Sequence, residues 1–249
     1  MIHPLHRRYL INIQMRFLML FIIFLTVAYC LFAREDPLAY YNNRDPGSVS
    51  EQIYPKLVNS FYELRNNQPF WFSPAANSYS LRQLLKEKID SSINSGLKKE
   101  KYHITEIREY FDKDFLSSDS ILVKSIDRIF TDAAIAYSKD MYQGNDIEHW
   151  MLSDELSSKR ETDDNKFLLQ GLSNANSREE LLAFFNLLEP HDAEYQTIKE
   201  DLQLKRDSLT SLQKKQLGTS LQFYRWMHHF KFEKWIEVNI ASATLRYYE

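Results

Sequence analysis

Residues 119–144 read DSILVKSIDRIFTDAAIAYSKDMYQG and carry the longest helical pattern of the chain. Apolar residues recur there every three or four positions, which places them on one face of an α-helix. These residues are Leu122, Ile126, Ile129, Phe130, Ala133, Ala136, Tyr137 and Met141. Gly144 follows them, as is typical of a helix C-terminus. The pattern predicts a long helix that begins at Asp119 and supplies the centre of the core.

Shorter helical patterns precede this segment. Four apolar residues recur at helical spacing in the first of them: Ile53, Leu57, Phe61 and Leu64. A second apolar run, residues 81–95, lies between a candidate N-cap, Ser80, and a candidate C-terminal glycine, Gly96. We expect a helix in each place.

Further helices are predicted after the long one. The segment 153–166 is so polar that we expect an exposed loop or the start of the next helix. Residues 177–180 (SREE) form a capping box before an apolar run that Pro190 ends. Asp192 is a candidate N-cap for a helix that ends near residue 206, and a last helix is expected over residues 213–227.

The C-terminal end of the chain has a different character. Residues 235–240 and 244–248 are two short runs rich in β-branched and aromatic residues, and a turn is expected between them. Two strands alone are marginally stable in water, and their open edges favour association. The predicted fold is therefore mostly α: a helical domain over residues 51–230, then a short, incomplete β element over residues 231–249.

The N-terminal segment indicates export. Residues 17–33 (FLMLFIIFLTVAYCLFA) carry no charge, and the three charged residues before them, Arg7, Arg8 and Arg16, are all basic. As a helix these seventeen residues would span roughly 25 Å, less than the ~30 Å of a bilayer core. A cleaved signal peptide and an uncleaved inner-membrane anchor both remain open for residues 1–33. Residues 34–50 are expected to be a linker, and the rest is expected in the periplasm or cell envelope.

Composition excludes several classes of site. Only five glycines are present, at spacings that exclude phosphate-binding loops and the GxSxG nucleophile elbow. Cys30 is the only cysteine, which excludes an internal disulfide and a cysteine-built metal site, and its apolar surroundings disfavour a reactive thiolate. Residues 34–249 hold 28 basic and 34 acidic residues, a net charge of −6, so nucleic acid is not an expected partner.

The remaining candidate residues favour structural roles. Neighbouring histidines, His228 and His229, point about 100° apart on a helix and would not chelate one ion together. Two more histidines, His103 and His149, lie beside aromatic residues and are expected to be partly buried. The acid pairs considered for general acid–base chemistry are Asp112/Asp114, Asp163/Asp164 and Glu179/Glu180. No catalytic, cofactor-binding or metal-binding residue is predicted, and no cofactor is expected.

Two aromatic clusters are candidates for glycan contact. They are Phe70-Trp71-Phe72 and Tyr224-Arg225-Trp226. Core packing is the favoured role for both, because large aromatic side chains dominate burial in helical domains.

Five stretches occur in a recognisable order. They are FYELRNNQPFWF (residues 61–72), GLKKEKYHI (96–104), DRIFTDAAIAYSKDMYQG (127–144), LEPHDAEYQTIKEDL (188–202) and WIEVNIASATLRYYE (235–249). The first four resemble the scaffold portion of the large L,D-transpeptidases, in which a helical domain precedes a YkuD-type catalytic domain. The fifth resembles the first strands of that catalytic domain, although Ala241 stands where the family usually has proline.

The resemblance implies a role in the cell wall. Family members use a cysteine, activated by a histidine, to attack a peptidoglycan stem peptide, expel D-alanine and form 3-3 cross-links. The His-Gly pair and the Ser-x-Gly-Cys-like segment of that site have no counterpart in this sequence. We therefore expect the scaffold portion of a murein L,D-transpeptidase, inactive alone, whose catalytic domain is lost or encoded separately.

A second function remains open from the sequence. The chain could be a membrane-tethered module that binds peptidoglycan stem peptides or glycan, or another protein, and performs no catalysis. Retention on purified sacculi without turnover of stem peptides would favour this alternative.

Overall fold

The long segment 119–144 forms the central helix of the domain. A computed structural model describes residues 50–73, 77–113, 120–144, 154–228, 234–239 and 243–248. Within these ranges the chain is mostly helical, which confirms the predicted fold class. The α-helices are α1 (Pro55–Leu64), α2 (Ser78–Ser91), α3 (Ile104–Tyr110), α4 (Ser120–Gln143), α5 (Asp154–Asn174), α6 (Arg178–Leu187), α7 (Ala193–Leu204) and α8 (Ser211–His228). Short 3-10 turns cover Ser92–Ser95 and Lys99–Lys101.

Helix α4 is buried on all sides over most of its length. It contacts α1, α2, α3, α5 and α8, and every residue over 129–141 is buried. The sequence predicted one apolar stripe, which undercounts this burial, because polar residues such as Thr131, Asp132 and Asp140 are buried as well. Gly144 ends the helix with φ +70°, as predicted, and Asp119 lies outside the described residues.

Several helix ends agree with their sequence signals and others differ. The Ser177 hydroxyl accepts a hydrogen bond from the Glu180 amide at 3.1 Å, the first half of the predicted capping box. The Glu180 carboxylate accepts from the Asn176 amide at 2.7 Å and not from Ser177. Gly96 has φ +71° after the 3-10 turn, a conformation that glycine adopts without strain.

The structure corrects two details of the predicted helices and decides between two alternatives for a third. Helix α2 begins at Ser78, so Ser80 is inside it and Asn77 is the N-cap residue. Of the two alternatives for residues 153–166, an exposed loop or the start of the next helix, the structure shows the second, because α5 begins at Asp154. Ile53 and Leu64 are 39% and 54% exposed, whereas Phe61 of the same predicted run is buried together with Val58 and Tyr62.

The C-terminal strands form a hairpin. Strands β1 (Trp235–Asn239) and β2 (Thr244–Tyr248) pair antiparallel. Ile236 lies opposite Tyr247 and Val238 lies opposite Leu245, so these four residues share one face of the hairpin. All four are more than half exposed, which leaves an apolar surface facing solvent.

Candidate functional site

Helix α4 carries three buried acidic residues, Asp127, Asp132 and Asp140. Each accepts hydrogen bonds from segments far away in the sequence. Buried carboxylates need such partners, because an unpaired charge in the interior is costly. These three carboxylates are therefore centres of polar contacts in the interior of the helical domain.

Asp127 holds the loop that follows α1. Its carboxylate accepts the Tyr62 hydroxyl, the Phe70 amide at 3.1 Å and the Phe72 amide at 2.8 Å. Burial raises the pKa of Asp127, and the hydrogen bonds from Tyr62 and the two amides act in the opposite direction. The carboxylate thus fixes the aromatic segment on the central helix.

Thr131, one turn further along α4, completes this cluster. Its hydroxyl oxygen lies 3.0 Å from the Trp71 indole nitrogen, which donates to it, and 2.9 Å from the Tyr62 hydroxyl. Phe70 and Trp71 are 3% and 0% exposed. The first aromatic cluster considered for glycan contact is therefore core, except that Phe72 is half-buried.

Asp132 holds the segment that enters α1. One carboxylate oxygen accepts the Tyr54 amide at 2.7 Å, and the other accepts the Ile53 amide at 2.7 Å. The second oxygen also lies 2.7 Å from Nε2 of His103. Nδ1 of His103 lies 2.7 Å from the Ser50 hydroxyl oxygen. His103 is thus largely buried and bonded through both ring nitrogens.

An open groove lies beside Ser50. Its volume is about 540 Å³, within the range of ~300–1,000 Å³ typical of small-molecule sites. It is lined by Ser50, Glu51, Gln52, Pro55, Ser125, Arg128 and Ile129. The groove therefore combines hydroxyl groups, one cation and one carboxylate with two apolar side chains.

Asp140 holds the 3-10 turn before α3. Its carboxylate accepts the Tyr102 hydroxyl at 2.7 Å and the Lys101 ammonium at 3.0 Å. Burial raises the pKa of Asp140, while the charge of Lys101 and the hydrogen bond from Tyr102 favour its ionised form. This pairing joins the Tyr-His sequence to the end of α4.

A fourth polar cluster joins α7 to α8. Arg225 is fully buried, and its guanidinium donates to the Ser95 carbonyl at 2.6 Å and to the Tyr195 hydroxyl at 2.7 Å. Tyr195 donates to the Glu189 carboxylate at 2.8 Å, which also accepts the Lys199 ammonium at 2.7 Å. Arg225, the middle residue of the second aromatic cluster, therefore has a structural role.

The other aromatic residues near the end of α8 are more accessible. Trp226 is half-buried, and Phe223, just before the second cluster, is 42% exposed. Their ring centroids lie 5.8 Å apart with planes inclined by 33°. The two rings therefore form an accessible aromatic patch near the end of α8.

The remaining candidates do not converge on one site. His228 Nδ1 lies 2.9 Å from the Asp192 carboxylate. Asp164 is buried and accepts the Gln143 amide group at 3.0 Å, whereas Asp163 is exposed. Glu179 and Glu180 lie in the first turn of α6, and Asp112 is exposed on the surface. The candidates His149, His229 and Asp114 lie outside the described residues.

The part of the chain that the structure describes contains no candidate metal site. No group of three or more His, Cys, Asp or Glu side chains there is placed to hold an ion. Sequence reasoning missed the buried acids of α4, because a search for adjacent acid pairs overlooks single carboxylates. The signal available in the sequence was the presence of single aspartates, at positions 127, 132 and 140, in the helix predicted to form the centre of the core.

The geometry defines a class of protein: a helical scaffold whose buried polar residues join separate segments to one central helix. Residues 56–202 match the family model described as Scaffold domain, which is the scaffold of L,D-transpeptidases. The match spans 147 of the 249 residues, more than half, so the chain belongs to this family. No match was found among curated proteins or among solved structures.

The family match includes four of the five stretches that carried the resemblance. Each of the four contributes to a cluster described above, through Tyr62, His103, Asp132 or Tyr195. The hairpin lies beyond the matched range. No helix among the described ranges is long and apolar enough to cross a membrane, and the segment 17–33 lies outside those ranges.

Proposed function

We propose that the chain is the scaffold portion of a peptidoglycan L,D-transpeptidase that takes part in cell-wall cross-linking or remodelling. The observation that carries this proposal is the family match over residues 56–202. In our proposal the protein acts in the periplasm or cell envelope, held at the inner membrane if residues 17–33 are not cleaved.

The catalytic step would come from a partner. The cysteine chemistry of the family needs an activated thiolate, and Cys30, the chain's only cysteine, lies within the apolar segment 17–33. The buried histidine His103 is hydrogen-bonded to Asp132 and Ser50 through its two ring nitrogens. A separately encoded catalytic domain would therefore supply the nucleophile, and the helical domain would hold it or the wall.

A second candidate function is a non-catalytic module that binds glycan or another protein. The neighbouring rings of Phe223 and Trp226 favour it, because aromatic faces suit the apolar faces of sugars. In this case the chain would be retained on the wall by α8 and would need no catalytic partner.

One experiment separates the two candidates. The full chain is incubated with purified sacculi, sedimented and quantified, and the muropeptides are then analysed for exchange. The glycan-binding candidate predicts retention that falls at least tenfold in the double variant Phe223→Ala/Trp226→Ala. Leu212→Ala, at a site 65% exposed on the same helix, is the matched control and should keep full retention.

The scaffold candidate makes a different prediction in the same assay. Stem-peptide exchange is absent with the chain alone and appears faster when a catalytic domain of an L,D-transpeptidase is added with the chain than when it is added without it. An equal rate with and without the chain contradicts the scaffold role. The DNA that follows the codon for Glu249 supplies a further check, because a frame encoding the His-Gly and Ser-x-Gly-Cys-like segments would identify the partner.

A further inference from the structure

Ser50, His103 and Asp132 form a continuous hydrogen-bonded chain. The Ser50 hydroxyl oxygen lies 2.7 Å from Nδ1 of His103, and Nε2 of the same ring lies 2.7 Å from the Asp132 carboxylate. The His103 and Asp132 side chains are 7% and 0% exposed. A hydroxyl, a base within hydrogen-bond reach and a buried group that orients the base are the parts of an activated serine nucleophile.

The hydrogen-bond acceptors around His103 decide which of its ring nitrogens carries the proton. The two oxygens of Asp132 accept the amides of Ile53 and Tyr54, so the carboxylate acts as an acceptor and Nε2 of His103 must donate to it. In the neutral ring Nδ1 is then unprotonated and accepts the Ser50 hydroxyl proton. His103 is therefore set as a base toward Ser50.

The serine end of the chain opens on the groove. Ser50 is half-buried and lines this space of about 540 Å³ together with the cation of Arg128. The guanidinium of Arg128 is held by the Asn59 side-chain oxygen and lies 5.3 Å from the Tyr62 ring centroid. The guanidinium of Arg128, which lines the same groove as Ser50, is suited to stabilise negative charge that develops on a substrate oxygen.

We propose that this groove is a serine hydrolase site for small carboxylic esters, with Ser50 as nucleophile, His103 as general base and Asp132 as a positioning residue. The site is separate from the proposed scaffold function and uses none of the family's cysteine chemistry.

The reaction needs only the ester and water. Ser50 Oγ attacks the ester carbonyl carbon while its proton passes to Nδ1 of His103, and Arg128 stabilises the oxyanion. The carbon–oxygen bond to the alcohol breaks, the alcohol leaves with the proton from Nδ1, and Ser50 remains acylated. Water then gives a proton to Nδ1 and attacks the acyl carbon. The bond from that carbon to Ser50 Oγ breaks, Oγ takes the proton from Nδ1, and the carboxylic acid leaves.

The entering segment is held by other hydrogen bonds besides the one between Ser50 and His103. The amides of Ile53 and Tyr54 already bind that segment to Asp132 at 2.7 Å each. Ser125 offers a comparison in the same groove, because its hydroxyl donates to the Ile121 carbonyl at 3.0 Å and not to a histidine. An activated hydroxyl is therefore expected at Ser50 and an ordinary one at Ser125.

The test is labelling of the purified full chain with a fluorophosphonate probe, followed by mass spectrometry of its peptides. We expect one label per chain, on Ser50, and hydrolysis of p-nitrophenyl butyrate that the label abolishes. Ser50→Ala should lose both, whereas Ser91→Ala, at an exposed serine outside the groove whose hydroxyl donates to the Glu87 carbonyl, should keep both. A wild-type chain that takes no label, or one labelled equally in Ser50→Ala, would overturn the proposal.

The base is tested with His103→Asn, because His103 has φ +49° and asparagine tolerates that conformation. We expect its rate of labelling to fall by about 100-fold, the scale of general-base catalysis. Thermal unfolding of each variant is measured alongside. If His103→Asn does not fold, the position of the label in the wild-type chain decides the proposal alone.

Discussion

At the scale of single residues, the buried carboxylates of α4 explain how separate segments are held together. Asp127, Asp132 and Asp140 each bind groups that lie between 29 and 79 positions away in the sequence. The net gain in stability from such a hydrogen bond is small. The cost of removing one partner is larger, because the buried donor is then left unpaired. Substitutions at these aspartates should therefore be among the most damaging in the protein.

Asp127→Asn tests this directly. Two main-chain amides and one hydroxyl converge on the two carboxylate oxygens, whereas an asparagine side chain has only one acceptor oxygen. We expect the free energy of unfolding in urea to fall by about 2–3 kcal/mol. Asp163→Asn, at an exposed site on α5, is the control and should change it by less than about 0.5 kcal/mol. Equal effects at the two sites would contradict the assignment.

Glu189 predicts a dependence of stability on pH. Burial raises its pKa, but hydrogen bonds and charge from Lys199 outweigh burial, and the pKa of Glu189 is lowered below its ordinary 4.5. A lowered carboxyl pKa contributes stability that is present above pH 4.5 and is lost as pH falls through the folded-state value. The ionised group therefore stabilises the α7–α8 cluster at neutral pH.

Glu189→Gln should then be about 1–2 kcal/mol less stable than the wild type at pH 7, because hydrogen bonds to a charged acceptor are lost. The difference should shrink as the pH falls below 4.5. Chemical unfolding at pH 7 and at several acid values measures it, with Glu194→Gln, exposed on α7, as the control. A difference that stays constant with pH would show that the charge of Glu189 is not involved.

At the scale of elements, two helical glycines differ in how closely a neighbouring segment approaches them. A Cβ at Gly171 of α5 would lie 2.2 Å from a ring carbon of Phe184 on α6. A Cβ at Gly218 of α8 would lie no closer than 3.4 Å to its nearest neighbour, the Gly96 carbonyl oxygen. The first contact is a clash and the second an ordinary van der Waals contact.

Gly171→Ala should therefore lower the free energy of unfolding by about 1–3 kcal/mol through overpacking. Gly218→Ala should leave it unchanged or raise it by up to about 1 kcal/mol, because alanine favours a helix more than glycine does. Thermal or urea unfolding of the two variants compares them. The reverse order of stabilities would mean that α5 and α6 are not closely packed at Gly171.

The hairpin predicts self-association. Its four apolar side chains, Ile236, Val238, Leu245 and Tyr247, are between 53% and 65% exposed on one face. Apolar surface beside open strand edges favours pairing between copies. A chain without residues 1–33 should elute in size exclusion as a mixture that shifts toward the monomer, with higher solubility, when residues 235–249 are deleted. Identical elution and solubility of the two forms would count against this role of the hairpin.

Sequence patterns predicted the elements well and the polar contacts poorly. The stripe from Ile126 to Met141 predicted α4, because periodicity reports which side chains are buried. Two short runs of β-branched and aromatic residues after residue 235 predicted the strands of the hairpin, because these residue types favour strands. The partners of Asp132 could not be predicted from the sequence, because hydrogen bonds between residues tens of positions apart depend on how helices pack. The same limit applies to the Ser50 groove, whose lining residues come from two distant segments.

At the scale of the whole molecule, the architecture is organised around one buried helix. Four of the stretches that resemble L,D-transpeptidase scaffolds meet around it or around the Arg225 cluster, and their polar residues bind one another. This arrangement accounts for the family match over residues 56–202. Our central claim, which rests on the proposed function, is that the chain supports transpeptidation and does not perform it.

The most direct test is exchange of a labelled D-amino acid into muropeptides by the purified full chain, measured by chromatography and mass spectrometry. The claim predicts no exchange above the no-protein blank, in the wild type and in Cys30→Ala alike. Exchange by the chain without any added enzyme, and above all exchange that Cys30→Ala abolishes, would contradict it.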